Sequence, residues 1–517
     1  MRRAAFLILT ACCAWAADDL RLTPDERRAE AEWLASLGLK VPEGGPLLER
    51  PFAQPLSKRS FLVPSAWWRA ASPKEIPADQ LRLDLPLLRA VMEKAYGGWD
   101  SAAKRGWSWN RWFVEWDDDL AGRGDTRMTP ADALAPVARL MQFQLDNHSG
   151  PVGIPLRFGS GSRSAVLEAR PGGTCIEMKT ADGKSFPVDP QDPAQRPKKA
   201  RIIDGSGRED DGYYFSYPAQ RGAATSIQCG GLWISLRTWE STDRIRAIAD
   251  MAGQAAGAPS YRTISAAIGY LRLPTFTKPN NERLRQILPS LPETAGHEKL
   301  LIVDLRQNGG GDNVLNEMAR WLDVPSVQAA VRFTRRQPQS CLYDALQWGY
   351  TQVTTLGLQP PVSAALRASL QRSLDGLFTP SPAGCPVSIE EQRSQWDYRR
   401  HRFPSPPPAG KPRLMLLVDS GCASDCEYMT YVLAAEPGTV VVGESTCGVG
   451  QFIQPGYFIL PHSRLKFRIA LGMSDIYGDG RSFDGYGLGA DIVLAGEEAH
   501  RGATILKLAE AWAATRQ

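Results

Sequence analysis

The stretch LMLLVDSGCASDCEYMTYVLAAEPG, Leu414 to Gly438, limits what this chain can fold into more than any other. Leu414 to Val418 is an apolar run, short and β-leaning enough to be a buried strand. Small residues then form a turn, Asp419-Ser420-Gly421-Cys422-Ala423. A helix is expected from Ser424, because Tyr428, Met429, Val432 and Leu433 repeat at helical spacing and Pro437-Gly438 ends them. A serine at a strand-to-helix turn has its hydroxyl clear of the backbone. The unpaired amides of the first helical turn lie beside it and favour negative charge. Acyl-transfer nucleophiles are presented in this way. A serine that only caps the helix fits the same pattern, and this stretch alone leaves both readings open.

The rest of the chain supplies a frame. Residues 1–17 read as an export signal: Arg2-Arg3 begin it, an apolar core runs from Ala4 to Ala14, and Ala14-Trp15-Ala16 is a small-x-small cleavage site. A second reading of the same residues takes Leu9-Thr10-Ala11-Cys12 as a lipobox, which would leave the mature chain lipid-anchored at Cys12. Either way the expected location is exported, periplasmic or extracellular, and no later segment is apolar enough to span a bilayer. Residues 18–80 form an N-terminal extension with a short charged helix, Pro24 to Leu37. Residues 81–150 carry a helical pattern. Its last helix is expected to be capped by Thr129, with Pro130 at the first helical position and Leu134, Val137, Ala138, Met141 and Leu145 on one face. Residues 151–262 alternate short strands and Gly-rich turns, a β-rich module whose place in the chain suits peptide docking. From 263 to 517 strands alternate with helices, as in a largely parallel α/β sheet. A Pro-rich insertion, 326–411, is expected over one edge of that sheet.

Composition matters in two places. The formal net charge of +4 falls to about +2 once Arg2 and Arg3 leave with the signal, so no basic stripe exists for nucleic acid. Of nine cysteines two lie in the leader, and the remaining odd number leaves at least one unpaired in an oxidising compartment. Cys422 and Cys426 lack the further ligands of a zinc site, so disulfides are the expected use, with pairing open. No metal or cofactor site is expected.

With five histidines in the chain, each can be weighed. His297, His401 and His500 sit among charges and are expected in solvent, and His462 in a hairpin turn. His148 differs, because it follows the end of an apolar helix in the loop Asp146-Asn147-His148-Ser149-Gly150. The triple glycine Gly309-Gly310-Gly311, after the strand Leu300 to Leu305, lets ligand atoms approach the backbone and could present amides to an oxyanion.

These motifs occur in a telling order: Tyr270-Leu271-Arg272-Leu273-Pro274-Thr275-Phe276; Asp304-Leu305-Arg306-Gln307-Asn308-Gly309-Gly310-Gly311; Ser424-Asp425-Cys426-Glu427; Gly443-Glu444-Ser445-Thr446-Cys447-Gly448; and Asp479 to Gly487 followed by Ala490-Asp491. Together they resemble the carboxy-terminal-processing peptidases and tricorn-core serine proteases. The resemblance implies a crotonase-like (ClpP/crotonase-type) core of stacked ββα units, with a helical N-terminal region and a β-rich inserted module. It implies Ser424 as nucleophile and an oxyanion hole from Gly310 or Gly311 and Asp425. One branch of the family uses a lysine base where this chain has Val449. The tricorn-like branch uses a histidine, which His148 matches, and an acidic residue near the end, where Asp484 stands in place of a glutamate. Glu427 and Asp304 are read as structural. The resemblance therefore implies an exported serine endopeptidase acting on peptides or unfolded protein. Its alternative is an inactive member that uses the cleft to bind a peptide or hydrophobic ligand.

Overall fold

The computed structural model describes residues 23–41, 63–146, 148–154, 162–192, 195–204, 206–238, 257–290, 298–311, 332–337, 342–356, 361–378, 388–392, 412–475 and 484–514, with Ile248, Met251, Ala252 and Met318. The leader, Asn147, His297 and His401 lie outside them.

The strand Arg413–Val418 is the fourth strand of a sheet that has 13 among the described residues. Its apolar run is continuous because both faces are covered, as in parallel sheets generally. Leu414, Leu416 and Val418 pack on one face with Met429, Val432 and Leu433 of the helix Asp425–Leu433. Met415 and Leu417 pack on the other with Ile505, Leu508 and Trp512 of the helix Gly502–Ala514. Each fully buried Leu or Ile contributes roughly 2 kcal/mol, so polar substitution on either face would open the layer.

Around this strand lie Ile268–Arg272, Leu300–Asp304, Val440–Gly443 and Ile492–Ala495, all parallel. Helices Lys278–Ser290 and Asp425–Leu433 connect successive strands of the set. The β-rich segment is not set apart from this sheet. Lys198–Asp204 pairs in parallel with Ile492–Ala495, and antiparallel strands then extend the sheet through Glu209–Pro218 and Ser162–Leu167 to Ser185–Pro187. The disulfide Cys175–Cys229 staples two of these outer strands.

A second sheet pairs Phe452–Ile459 with Lys466–Asp475. The insertion supplies two more strands, Arg332–Gln337 and Ser388–Gln392, and two helices, Leu342–Thr355 and Ala364–Phe378. Leu342, Leu346 and Trp348 pack in one core with Leu85, Leu88 and Val91 of the helix Ala78–Ala95 and with Phe452, Phe458 and Phe467 of the sheet. Asp84 of that helix locks the hairpin turn, accepting from His462 N (3.0 Å) and Ser463 N (2.8 Å).

The helix expected after Thr129 forms in two pieces. Thr129 accepts from Asp132 N and caps the turn Pro130–Ala133; the helix resumes as Ala135–Gln144, with Pro136 in its first turn. Leu145 then adopts a left-handed conformation (φ 58°), which swings the chain out of the helix. Gly150–Pro151 pairs with Phe467 and Arg468 of the second sheet. His148 is held between that turn and that pairing.

Candidate active site

Ser424 sits at φ 56°, ψ −121°, a region L-residues rarely occupy. Such conformations persist only where surrounding contacts over-determine them, and here they do. Asp419, buried, accepts from Gly421 N (2.9 Å) and Gln307 N (2.9 Å) through Oδ1 and from Gln307 Nε2 (2.7 Å) through Oδ2. Ala423 N donates to Asn308 O at 2.9 Å. The turns after two adjacent parallel strands are thereby interlocked, serine turn against glycine turn. The cysteines on either side of the serine are joined as Cys422–Cys426, so neither is a thiol nucleophile. Cys447 is a thiol, but burial and the charges of Glu427, Asp484 and Asp419 push its ionisation far up, so it stays protonated.

Glu427 is fully buried and ties the serine turn to the 444–449 loop. Its Oε2 accepts from Ser424 N (3.2 Å) and Val449 N (2.8 Å), and its Oε1 from Gly448 N (2.6 Å) and the Thr446 hydroxyl (2.5 Å). Burial still raises its carboxyl to about 7. Asp304 is likewise enclosed, bridged to Arg306 at 2.6 Å and accepting from Tyr270 OH at 2.8 Å. Both act as internal struts.

His148 Nε2 lies 3.3 Å from Ser424 Oγ, across 276 positions of sequence. Burial, reinforced by the positive charge of Arg468, lowers the imidazole to about 4, so it is neutral and able to accept a proton at ordinary pH. Its Nδ1 has no hydrogen-bond partner among the described residues. Asp484 is buried close by, but its Oδ1 accepts from Gln451 N (2.8 Å) rather than from the imidazole. Burial and the Glu427 charge push the Asp484 carboxyl well up. The imidazole Nδ1, without a partner among the described residues, does not bond to it.

Gly310 closes the far side of the site. Its φ of +83° favours glycine, and a Cβ there would stand 2.9 Å from both Ser424 Cβ and Asp425 N. Its own amide donates to Asn308 Oδ1 at 2.9 Å. Gly311 is exposed beside it, and Asp425 opens the helix behind the serine.

Two features of this region carried no sequence signal. Tyr96, which ends the helix Ala78–Ala95, reaches Asp146 with its hydroxyl. The charge of Arg468, on strand Lys466–Asp475, acts on the histidine. His500 departs from its expected place in solvent: it is 1% exposed, with Nε2 3.1 Å from Glu444 Oε1. The run Glu497–His500 forms a tight 3₁₀ turn against the sheet, which folds the ring inward although its sequence neighbours are charged. Among the described residues no cluster of three or more His, Cys, Asp or Glu is arranged to hold a metal, and no helix is long and apolar enough to cross a membrane.

The model of peptidase family S41 matches residues 267–494. No curated protein matches the chain. Among solved structures, mature CPAF is 14% identical over 84% of this chain and 96% of its own, with a TM-score of 0.41. The photosystem II D1 C-terminal processing protease is 12% identical over 80% and 93%, with a TM-score of 0.34. Tricorn protease is 11% identical over 84% of this chain and 37% of its own, with a TM-score of 0.36. These likenesses are remote.

Proposed function

We propose, from the match of residues 267–494 to the model of peptidase family S41, that this protein is an exported serine endopeptidase that cleaves peptides or unfolded polypeptide with Ser424 as nucleophile and His148 as base. The observation that carries the reading is the 3.3 Å approach of His148 Nε2 to Ser424 Oγ, made at a serine held in a rare left-handed conformation. The inactive, ligand-holding alternative gains nothing from that contact.

The chemistry follows from the groups in place. His148 Nε2 takes the hydroxyl proton as Ser424 Oγ attacks the scissile carbonyl carbon. The carbonyl π pair moves to oxygen, giving a tetrahedral oxyanion. Backbone donors beside the serine, from Asp425 and the Gly310-Gly311 turn, hold that charge, and each donor of this kind contributes roughly 3 kcal/mol. Because the Gly310 amide is already given to Asn308, the glycine donor is assigned to Gly311. The C–N bond then breaks, the amine leaves with the proton from His148, and an acyl ester remains on Ser424. Water, deprotonated by His148, releases the acid and restores the hydroxyl. Asp484 acts on the base only through its field or an intervening group. The core is read as crotonase-like. Export rests on the sequence of residues 1–17, with cleavage before Ala17 or lipidation at Cys12 as its two forms, which the intact mass of the mature protein separates.

The test is hydrolysis of unfolded casein by wild type and Ser424→Ala. The variant should lose cleavage entirely while melting at the same temperature as wild type. Equal cleavage by both would end the assignment.

A further inference from the structure

We infer that Asp146 is the positioning residue of this site: its carboxylate, backed by the Tyr96 hydroxyl, fixes the main chain at His148, so that the imidazole is aimed at Ser424 through the backbone rather than through a bond to its ring. This rests on the reading of Ser424 and His148 given above.

Four observations carry it. The Asp146 carboxylate is 1% exposed, and its Oδ1 accepts from His148 N at 2.7 Å and from Ser149 N at 3.0 Å. Hydrogen bonds to an ionised acceptor are about twice as strong as neutral ones, and two amides converging on one oxygen define the peptide plane on both sides of the histidine. Asp146 Oδ2 accepts from Tyr96 OH at 2.9 Å, so the carboxylate cannot swing away. Tyr96 is itself fully buried, stacked on Phe452 (6.2 Å, 8°) and edge-on to Trp109 (6.2 Å, 82°).

The other end of the loop is fixed as well. Ser149 Oγ accepts from Ala470 N at 2.8 Å, and Gly150 pairs with Arg468. His148 is therefore suspended between two anchored points, one on a helix end and one on a strand. The ring supplies no anchor of its own beyond Ser424, since its Nδ1 has no partner among the described residues. Asp484 takes the Gln451 amide on Oδ1, and no hydrogen bond joins it to the unpartnered Nδ1 of the ring. Among the described residues, the titratable and charged side chains that act on the loop are Tyr96 from the helix by its hydrogen bond, and Arg468 from the strand and Asp484 by their charge.

The experiment compares Asp146→Ala, Asp146→Asn and Tyr96→Phe with wild type. Two readouts are taken on each: kcat and KM on a fluorogenic unfolded substrate, and the His148 titration followed by NMR of protein labelled at histidine Cε1, assigned with His148→Gln. Misplacing a catalytic group by ~1 Å costs about 100-fold, so Asp146→Ala should lose that much kcat while KM changes little. Its His148 titration should rise from about 4 toward 6.5 as the loop opens to water. Asn keeps the Oδ1 acceptor, so Asp146→Asn should restore most of kcat and return the titration to the wild-type position. Tyr96→Phe should fall between the two.

A folded Asp146→Ala with wild-type kcat and an unmoved titration would overturn the inference. If that variant does not fold, an unmoved titration and unchanged kcat in Tyr96→Phe would do so instead. The titration needs no turnover. An enzyme inactive on every substrate would therefore remove the peptidase reading and still leave the positioning claim to stand or fall by NMR.

Discussion

The contact between the glycine turn and the serine turn makes the sharpest prediction, because two adjacent glycines differ in what surrounds them. A Cβ added at Gly310 would lie 2.5 Å from Ala423 O and 2.9 Å from Asp425 N, whereas ordinary contact begins at 3.4 Å. Neither neighbour is a flexible side-chain end; both are backbone of the nucleophile turn. The backbone at Gly310 is also left-handed, φ +83°, which costs an L-residue roughly 1–2 kcal/mol. Gly310→Ala must therefore push the Ser424 turn off its position by most of an ångström. A displacement of that size costs about 100-fold in rate, or about 2.7 kcal/mol of barrier. Gly309→Ala is the control, since a Cβ there meets nothing within 4 Å. The assay is kcat/KM on a fluorogenic unfolded substrate, read with the melting temperature of each variant. Gly310→Ala should be about 100-fold slower than Gly309→Ala, which should match wild type. Equal rates in the two alanine variants would mean that the packed turn does not set the nucleophile.

Two further outcomes concern the base and the outer disulfide. Because His148 must be neutral to accept the serine proton, and burial with Arg468 lowers it to about 4, the limb of kcat/KM that the imidazole sets should lie below about pH 5, while any step near 7 belongs to Glu427 and should vanish in Glu427→Gln; an acid limb near 6.5 that persists in that variant would mean a solvated imidazole. The Cys175–Cys229 bridge closes a separation of 54 residues, which the chain-entropy model values at about 4 kcal/mol; the double alanine variant should melt at a clearly lower temperature while the rate at Ser424 is kept, and an unchanged melting temperature would deny the bridge that role.

Several parts of this arrangement were legible in the sequence. The strand, turn and helix from Leu414 to Leu433 were written in apolar spacing and small residues, and both layers form as that spacing requires. What the sequence did not carry is the left-handed backbone of Ser424, which is imposed by bonds from Asp419, Asn308 and Glu427 rather than by residue type. The continuity of the β-rich segment with the core was hidden for a similar reason. It depends on the parallel pairing of Ile202 with Val493, strands far apart in the chain, and periodicity reports a strand's faces but not its neighbours. The helix Leu342–Thr355 was obscured by the proline runs that follow it, although Leu342, Ala345, Leu346 and Gly349 bury one face at helical spacing. His148 could be singled out by its loop. Its anchors could not, because Tyr96 is 50 positions from Asp146 and nothing near either residue announces the other.

The measurement that bears most directly on the account is covalent labelling by a fluorophosphonate, followed by intact mass and peptide mapping, in wild type and His148→Ala. A single adduct at Ser424 is expected in wild type, and its formation should slow by at least ~100-fold when the base is removed. An adduct on some other residue, or the same labelling rate without the imidazole, would contradict the pairing of these two side chains as a catalytic unit.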